Sequence, residues 1–166
     1  MHLTQRFKWV LTLAVALLAA ASCSSGNSSS PTAPSGRLLL TNADLIVAGE
    51  SMDNRTVPVG HGQGEPALFM AELMVDGAPG IGHEVWVEVD RPMGMMGPRR
   101  FPLHDDGTHG DPIAHDGLYH FEDIEGRYAC NGPGMMAGEY HYEYHGETAA
   151  GQQSNRLRVR VTIEAG

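Results

Sequence analysis

The chain has 166 residues, with 20 acidic and 11 basic side chains and a formal net charge of −9 at pH 7. This acidic balance argues against a nucleic-acid partner and against electrostatic adhesion to anionic lipid, whereas it is compatible with divalent cations. The length allows one domain of common size with a substantial hydrophobic core.

The first 22 residues are predicted to be a bacterial lipoprotein signal peptide. Arg6 and Lys8 form a short positive region, and an uncharged apolar run follows over residues 10–21. That run is shorter than the roughly 20 residues that a membrane-spanning helix needs, and its flanks are those of a removable signal. Removing it takes away no acid, so the mature chain has 9 basic residues, all arginine, against 20 acidic ones, a net charge of −11.

The last residues of this segment, LAAASC at positions 18–23, resemble a lipobox, although Ala20 stands where that motif usually has leucine. The resemblance implies cleavage before Cys23 and lipid on its sulfur, and therefore a protein tethered to a membrane of the bacterial cell envelope. The serine directly after this cysteine, Ser24, resembles the pattern of lipoproteins that are sorted to the outer membrane or cell surface. The alternative is an ordinary secretory signal that is cut nearby and leaves Cys23 as a plain thiol.

Residues 23–36 are predicted to be the lipidated cysteine and a flexible linker. Between Ser24 and Gly36 no aliphatic side chain is larger than alanine. Such a segment cannot bury enough apolar surface to offset the entropy of ordering, so we expect it to be disordered. The folded domain is then expected over residues 37–166, where Cys130 is the remaining cysteine and no intrachain disulfide is expected.

Strand patterns dominate residues 37–166, and the last segment shows the clearest one. There, apolar side chains alternate with polar ones, which is the period of a half-buried strand. Residues 67–75 are ambiguous, because their composition favours a helix while their length and the flanking Pro66 and Gly77 favour a strand. About seven short strands separated by turns predict an all-β, antiparallel sandwich. Strands are expected at 37–40, 45–48, 67–75, 84–90, 118–124, 139–145 and 155–164, with inward-facing Val85, Val87, Val89, Tyr140, Tyr142, Tyr144, Leu157, Val159, Val161 and Ile163.

Residues 103–119, LHDDGTHGDPIAHDGLY, have the form L-x-D-D-G-x-x-G-D-x-x-A-x-D-G-x-Y. This form resembles a motif of bacterial extracellular immunoglobulin-like domains of the choice-of-anchor X type. Residues 138–140, the turn at 149–155 and the alternating last strand are similar to the final hairpin of such domains. The resemblance covers about residues 67–163 and implies an immunoglobulin-like sandwich that acts as an accessory envelope domain without catalysis. The chain departs from the pattern at His115, where glycine is usual.

Within this motif, Asp105, Asp106, Asp111 and Asp116 bring four carboxylates into one turn region. Calcium takes about six to eight oxygen ligands, which such a loop could supply in part, so a calcium site is one hypothesis. Asp-Gly pairs also build turns without a metal, because aspartate bonds nearby amide groups and glycine accepts positive φ. The spacing differs from that of an EF-hand loop, and we favour the structural role.

A second group combines soft metal ligands in loops rich in glycine and proline. Thioether and thiolate sulfur suit Cu(I), so these residues provide an alternative copper site. Methionine also fills irregular gaps in a core, and this is the interpretation that we favour. The residues concerned are Met93, Met95, Met96, Cys130, Met135 and Met136.

The histidines of the segment 139–145 are a poor metal pair. In a strand, His141 and His145 would lie about 13 Å apart, too far to share one ion. We expect both to stand on the outside with Glu143, facing the arginines of the last strand, since cross-strand charge pairs stabilise a sheet.

The sequence predicts no enzyme, since it contains no nucleophile elbow, His-Glu-x-x-His motif or phosphate-binding loop. The expected function is that of a membrane-tethered envelope lipoprotein whose immunoglobulin-like domain binds or scaffolds, with an envelope protein or polysaccharide as partner. No cofactor is required. The alternative is a metal-handling lipoprotein that uses calcium or copper at the residues named above.

Overall fold

The structure is a computed structural model that describes residues 36–92 and 99–165. The predicted signal peptide, Cys23 and the linker before Gly36 lie outside the described residues, and so does the segment 93–98. No helix in the described part of the chain is long and apolar enough to cross a membrane.

The described residues form ten β-strands in two sheets, which confirms the all-β class. In chain order the strands are β1 (Leu38–Val47), β2 (Glu50–Ser51), β3 (Arg55–Pro58), β4 (Ala67–Val75), β5 (Ala78–Pro79), β6 (Glu84–Asp90), β7 (Arg100–Leu103), β8 (Leu118–Asp123), β9 (Gly138–Glu147) and β10 (Gln153–Glu164).

The first sheet is centred on β4, which pairs antiparallel with β1 on one side and with β8 on the other. Ala71 on β4 thus lies opposite Ala43 on β1 and opposite Tyr119 on β8. The two-residue strands β2 and β5 extend the sheet beside β1 and β4.

The second sheet has the order β3-β10-β9-β6-β7. Its pairs are antiparallel except that β3 runs parallel to β10, with Val161 opposite Arg55. The chain therefore leaves the first sheet after β2 and joins the other one as β3. Together with the β1-β4-β8 and β10-β9-β6 groups, this crossover gives the immunoglobulin-like sandwich that was predicted.

Several strand predictions need correction in detail. The segments expected at 37–40 and 45–48 are one strand, β1, whose register shifts between Leu40 and Asn42. The ambiguous segment 67–75 is strand β4. Strands β2, β3, β5 and β7 were not predicted, because each has only two to four residues, too few to establish an alternating pattern in the sequence.

The core lies between the sheets and contains nearly all of the predicted inward-facing side chains. Leu157 is the exception, being only partly buried against the core. Phe69 and Phe101 join the core edge to face, with ring centroids 4.8 Å apart. The predicted residues that are buried are Val85, Val87, Val89, Tyr140, Tyr142, Tyr144, Val159, Val161 and Ile163.

Candidate functional site

The aspartate loop, residues 104–117, connects β7 to β8 and is held by two buried carboxylates. Asp105 accepts the amide protons of Asp116 and Gly117 at 3.0 and 3.3 Å, across the whole length of the loop. Asp111 accepts the amide of Gly107 at 2.8 Å. Both carboxylates bond the amide groups that a free loop would leave unsatisfied, and so they close the loop onto itself.

The other two aspartates of the loop act locally. Asp106 accepts the amide of Thr108 at 3.0 Å, and Asp116 accepts the amide of Leu118 at 2.9 Å. Every predicted calcium ligand among the side chains therefore accepts at least one backbone N–H. Among the described residues, the four carboxylates do not bring three ligand oxygens within 4.8 Å of one another. Calcium coordination stays a prediction.

His115 stands where the motif described above usually has glycine. It adopts φ = 64°, the left-handed conformation that glycine enters without strain. A histidine can adopt this conformation, and several-fold more often than most side chains do. Position 115 therefore has a backbone conformation that glycine would also accept.

The predicted soft-metal residues are described only in part, since Met93, Met95 and Met96 lie outside the described residues. Cys130 is buried in the core, and desolvation raises the pKa of its thiol to about 11. A copper ion would have to displace the thiol proton there. The copper site stays a prediction.

Met135 and Met136 differ in environment. Met135 packs against the core, whereas Met136 is half exposed. Pro92, which precedes the undescribed methionines, lies so close to Gly138 that a Cβ there would be 2.5 Å from the Pro92 Cγ. The two methionine segments therefore have neighbouring flanks at one end of the sandwich.

A histidine cluster, formed by His104, Asp106 and His109, lies at the start of the aspartate loop. One ligating atom from each side chain lies within 4.8 Å of those of the other two, and no other such group of three occurs among the described residues. The two imidazole rings stack with centroids 4.0 Å apart and an interplanar angle of 15°. Burial, followed by the proximity of His109, lowers the pKa of His104, and Asp106 opposes this shift. Sequence analysis missed the cluster, although the spacing His-x-Asp-x-x-His was visible.

A charged groove of about 520 Å³ lies on the outer face of the second sheet. Glu143 lines the groove and accepts hydrogen bonds from the guanidinium groups of Arg158 and Arg156, which lower the pKa of its carboxyl. This pairing of β9 with β10 agrees with the expected cross-strand charges. The groove is lined by Glu88, Val89, Asp90, Arg99, Arg100, His141, Glu143 and Arg158.

His145 also lies on this face, but it is not exposed as expected. Only 2% of the residue is accessible. Its neighbours in the sheet are Trp86 on β6 and Arg156 on β10, and Arg100 stacks on the Trp86 ring at 4.1 Å. These long side chains cover the imidazole, which an alternation of exposed and buried positions does not predict. Burial, with Arg156 as the next cause, lowers the pKa of His145.

No family model matches the chain, and no curated protein matches its sequence. Solved structures that are similar to it include the soluble domain of PmoD from Methylocystis sp. ATCC 49242 (Rockwell), with 10% identity and a TM-score of 0.39, covering 74% of this chain and 90% of that one. A lipoprotein from Bacteroides thetaiotaomicron has 11% identity and a TM-score of 0.35, covering 76% of this chain and 78% of that one. At scores this low, neither likeness carries an argument about function.

Proposed function

We infer that the protein is an envelope lipoprotein, anchored through Cys23, whose immunoglobulin-like domain binds an envelope protein or polysaccharide without catalysis. The observation that carries this inference is the charged groove. It is a concave surface lined by three acidic side chains and three arginines, and two of these charged side chains have no partner within the described residues.

The two unpaired charges lie where β6 ends and β7 begins. Asp90 and Arg99 are exposed, and neither side chain has a hydrogen-bond or ion-pair partner among the described residues. Arg100 approaches Glu147 only to 4.0 Å and otherwise rests on Trp86. Arginine in such a position can donate paired hydrogen bonds to carboxylate or hydroxyl oxygens of a partner. Complementary charge would give the partner specificity and a salt-dependent rate of association.

The resemblance to choice-of-anchor X domains supports the same role, since those are accessory domains of envelope proteins. The immunoglobulin-like fold by itself does not select a partner. The acidic surface and the lipobox-like segment support an extracytoplasmic place, and the outer membrane or cell surface is the proposed destination.

The test is a binding assay with the purified full chain and two envelope fractions, one rich in protein and one of protein-free polysaccharide. We expect one fraction to bind, with an affinity that falls at high ionic strength because screening weakens exposed charge pairs. Arg99→Ala and Asp90→Asn should weaken binding several-fold. Arg37→Ala removes an exposed arginine that immediately precedes β1, outside the groove, and should bind as the wild type does. Equal binding by all four proteins, or none to either fraction, would remove the groove from consideration.

A further inference from the structure

We propose that His104, Asp106 and His109 form a surface site for one divalent transition-metal ion of the zinc class. The site is separate from the charged groove and does not depend on the function proposed above. It also differs from the calcium and copper sites considered from the sequence, since its main ligands are imidazoles.

Strand β8 holds both histidines by their backbones. His104 and His120 exchange two backbone hydrogen bonds of 2.8 Å, and the carbonyl of His109 accepts the amide of Glu122 at 2.7 Å. The two rings lie near Phe121, the residue between these two anchor points, with the His109 ring parallel to it within 16° at 6.1 Å. Sites attached to a strand in this way keep their geometry better than sites on free loops.

Thr108 determines which nitrogen of His109 is free. Its hydroxyl lies 2.5 Å from Asp106 Oδ1 and 2.6 Å from His109 Nδ1. A hydroxyl has one proton, and the carboxylate can only accept, so Thr108 donates to Asp106. The hydroxyl oxygen must then accept the proton of His109 Nδ1–H. His109 Nε2 therefore carries a lone pair and is available to a metal ion.

The carboxylate of Asp106 retains a second oxygen for the ion. Oδ1 is engaged by Thr108, whereas Oδ2 faces His104 Nδ1 at 4.0 Å, too far for a hydrogen bond. Two ligands of one zinc ion lie about 3.3 Å apart at a tetrahedral centre, given bonds of about 2.0–2.1 Å. The ligating atoms of the three side chains lie within 4.8 Å of one another, so the side chains must close by up to about 1.5 Å to hold one ion. Asp106 and His109 are exposed and can make that adjustment.

The ligand set selects the class of ion. Two imidazoles and one carboxylate suit zinc and its borderline neighbours, whereas calcium prefers a shell of oxygens and Cu(I) prefers sulfur. A cavity of about 240 Å³, lined by His83, His104, Asp106 and His115, adjoins the cluster and has room for a water ligand. The net negative charge of the chain raises the local concentration of cations.

The experiment is an isothermal titration of Zn²⁺ into the purified full chain at neutral pH. We expect one ion per wild-type chain, and no detectable binding by His104→Ala or His109→Ala. Thr108→Val should raise the dissociation constant for zinc about 10- to 100-fold, because His109 is then no longer held in one orientation. Thr108→Ser keeps the hydroxyl and should bind zinc with the wild-type affinity. His141→Ala removes a surface histidine that also has a carboxylate neighbour, Glu139, and should bind zinc as the wild type does.

Thermal unfolding of each variant is measured as a control. A cooperative transition shows that the variant is folded, so that its loss of zinc binding is not caused by unfolding. Copper(II) used in place of zinc should give a spin-resonance spectrum with coupling to two imidazole nitrogens. The proposal is overturned if the folded wild type binds no zinc, or if the two alanine variants bind zinc as well as it does. Binding of Ca²⁺ in preference to Zn²⁺, lost in Asp106→Asn but kept in His109→Ala, would equally overturn it.

Discussion

The hydroxyl of Tyr144 on β9 donates a hydrogen bond of 2.7 Å to the backbone carbonyl of Asp44 on β1, and so joins the two sheets across the core. Tyr142, two residues earlier and equally buried, has no such bond. Its hydroxyl lacks an oxygen or nitrogen partner among the described residues and faces only the Cys130 thiol, a weak one.

This difference predicts that the same substitution, tyrosine to phenylalanine, changes the stability of the domain differently at the two positions. Tyr144→Phe keeps the ring but leaves the Asp44 carbonyl without its partner, so the free energy of unfolding should fall by about 1–2 kcal/mol. Tyr142→Phe removes a poorly satisfied buried hydroxyl and should be neutral or slightly stabilising. Denaturant unfolding of both variants measures the two values, and a larger loss for Tyr142→Phe would show that the bonding pattern is wrong.

The register of β10 is tested by two neighbouring residues. Val159 is buried, so Val159→Ala should cost about 1–2 kcal/mol through lost burial and a cavity. Arg158 is exposed and its pair with Glu143 is solvated, so Arg158→Ala should cost well under about 1 kcal/mol. Equal losses in urea unfolding would contradict the assigned faces.

In the aspartate loop, the prediction is that structure rather than calcium explains the carboxylates. Asp105→Ala should destabilise by about 2–3 kcal/mol, because two amides that it bonds across the loop lose a charged acceptor. Asp116→Ala removes one local bond and should cost about 1 kcal/mol. Melting curves recorded with calcium and with EDTA should coincide. A calcium-dependent rise in Tm that Asp106→Ala and Asp111→Ala abolish would establish the calcium site instead.

The lowered pKa of His145 predicts a pH dependence of stability. Burial and Arg156 disfavour the protonated imidazole in the folded state, while Arg100 acts in the same direction and Glu88 and Glu147 oppose it. The unfolded chain, with an ordinary pKa of 6.5, binds the proton more readily. Stability is therefore full above that value and falls as the pH drops below it towards the folded-state pKa. His145→Gln should flatten this part of the profile of unfolding free energy against pH.

The matched variant His141→Gln removes an imidazole from the same face and strand but leaves His145 in place. Its profile should retain the fall in stability below pH 6.5 that is assigned to His145. If His145→Gln keeps the full slope, another group carries the dependence.

The anchor is tested by expressing the chain in a bacterium that processes lipoproteins. Mass spectrometry should find an acylated N-terminus at Cys23 and membrane-associated protein, and Cys23→Ala should lose the acyl group and the association. An unmodified N-terminus at another residue would show an ordinary secretory signal.

The fold was predictable where side-chain alternation reports burial. Strand β6, the first part of β9 and the last part of β10 bury every second residue, and their valines and tyrosines form much of the core. Strands β3 and β7 were not predictable in this way. They are four-residue edge strands that contain Pro58 and Pro102, which is too short a length for alternation to distinguish a strand from a loop.

The candidate sites also differ in how far the sequence could predict them. The bonds of Asp106 and Asp116 to amides two residues later are local, so residue types and spacing were enough to predict them. The bonds of Asp105 across the loop were not predictable in this way. The stacking of His104 on His109 arises only when β8 holds both backbones, and a distance in the sequence does not contain that information. The burial of His145 likewise comes from side chains on two other strands.

The linker joins the sandwich at one end of strands β6 and β9. The carbonyl of Gly36 accepts a hydrogen bond of 3.1 Å from Gln152, beside the end where Glu84 and Glu147 pair. Asp90 and His141 pair at the other end of the same strands, near the open charges of the groove. A chain held at Cys23 would thus enter the sandwich at the end of these strands opposite the unpaired charges, so tethering would leave the proposed binding surface clear of the attachment point.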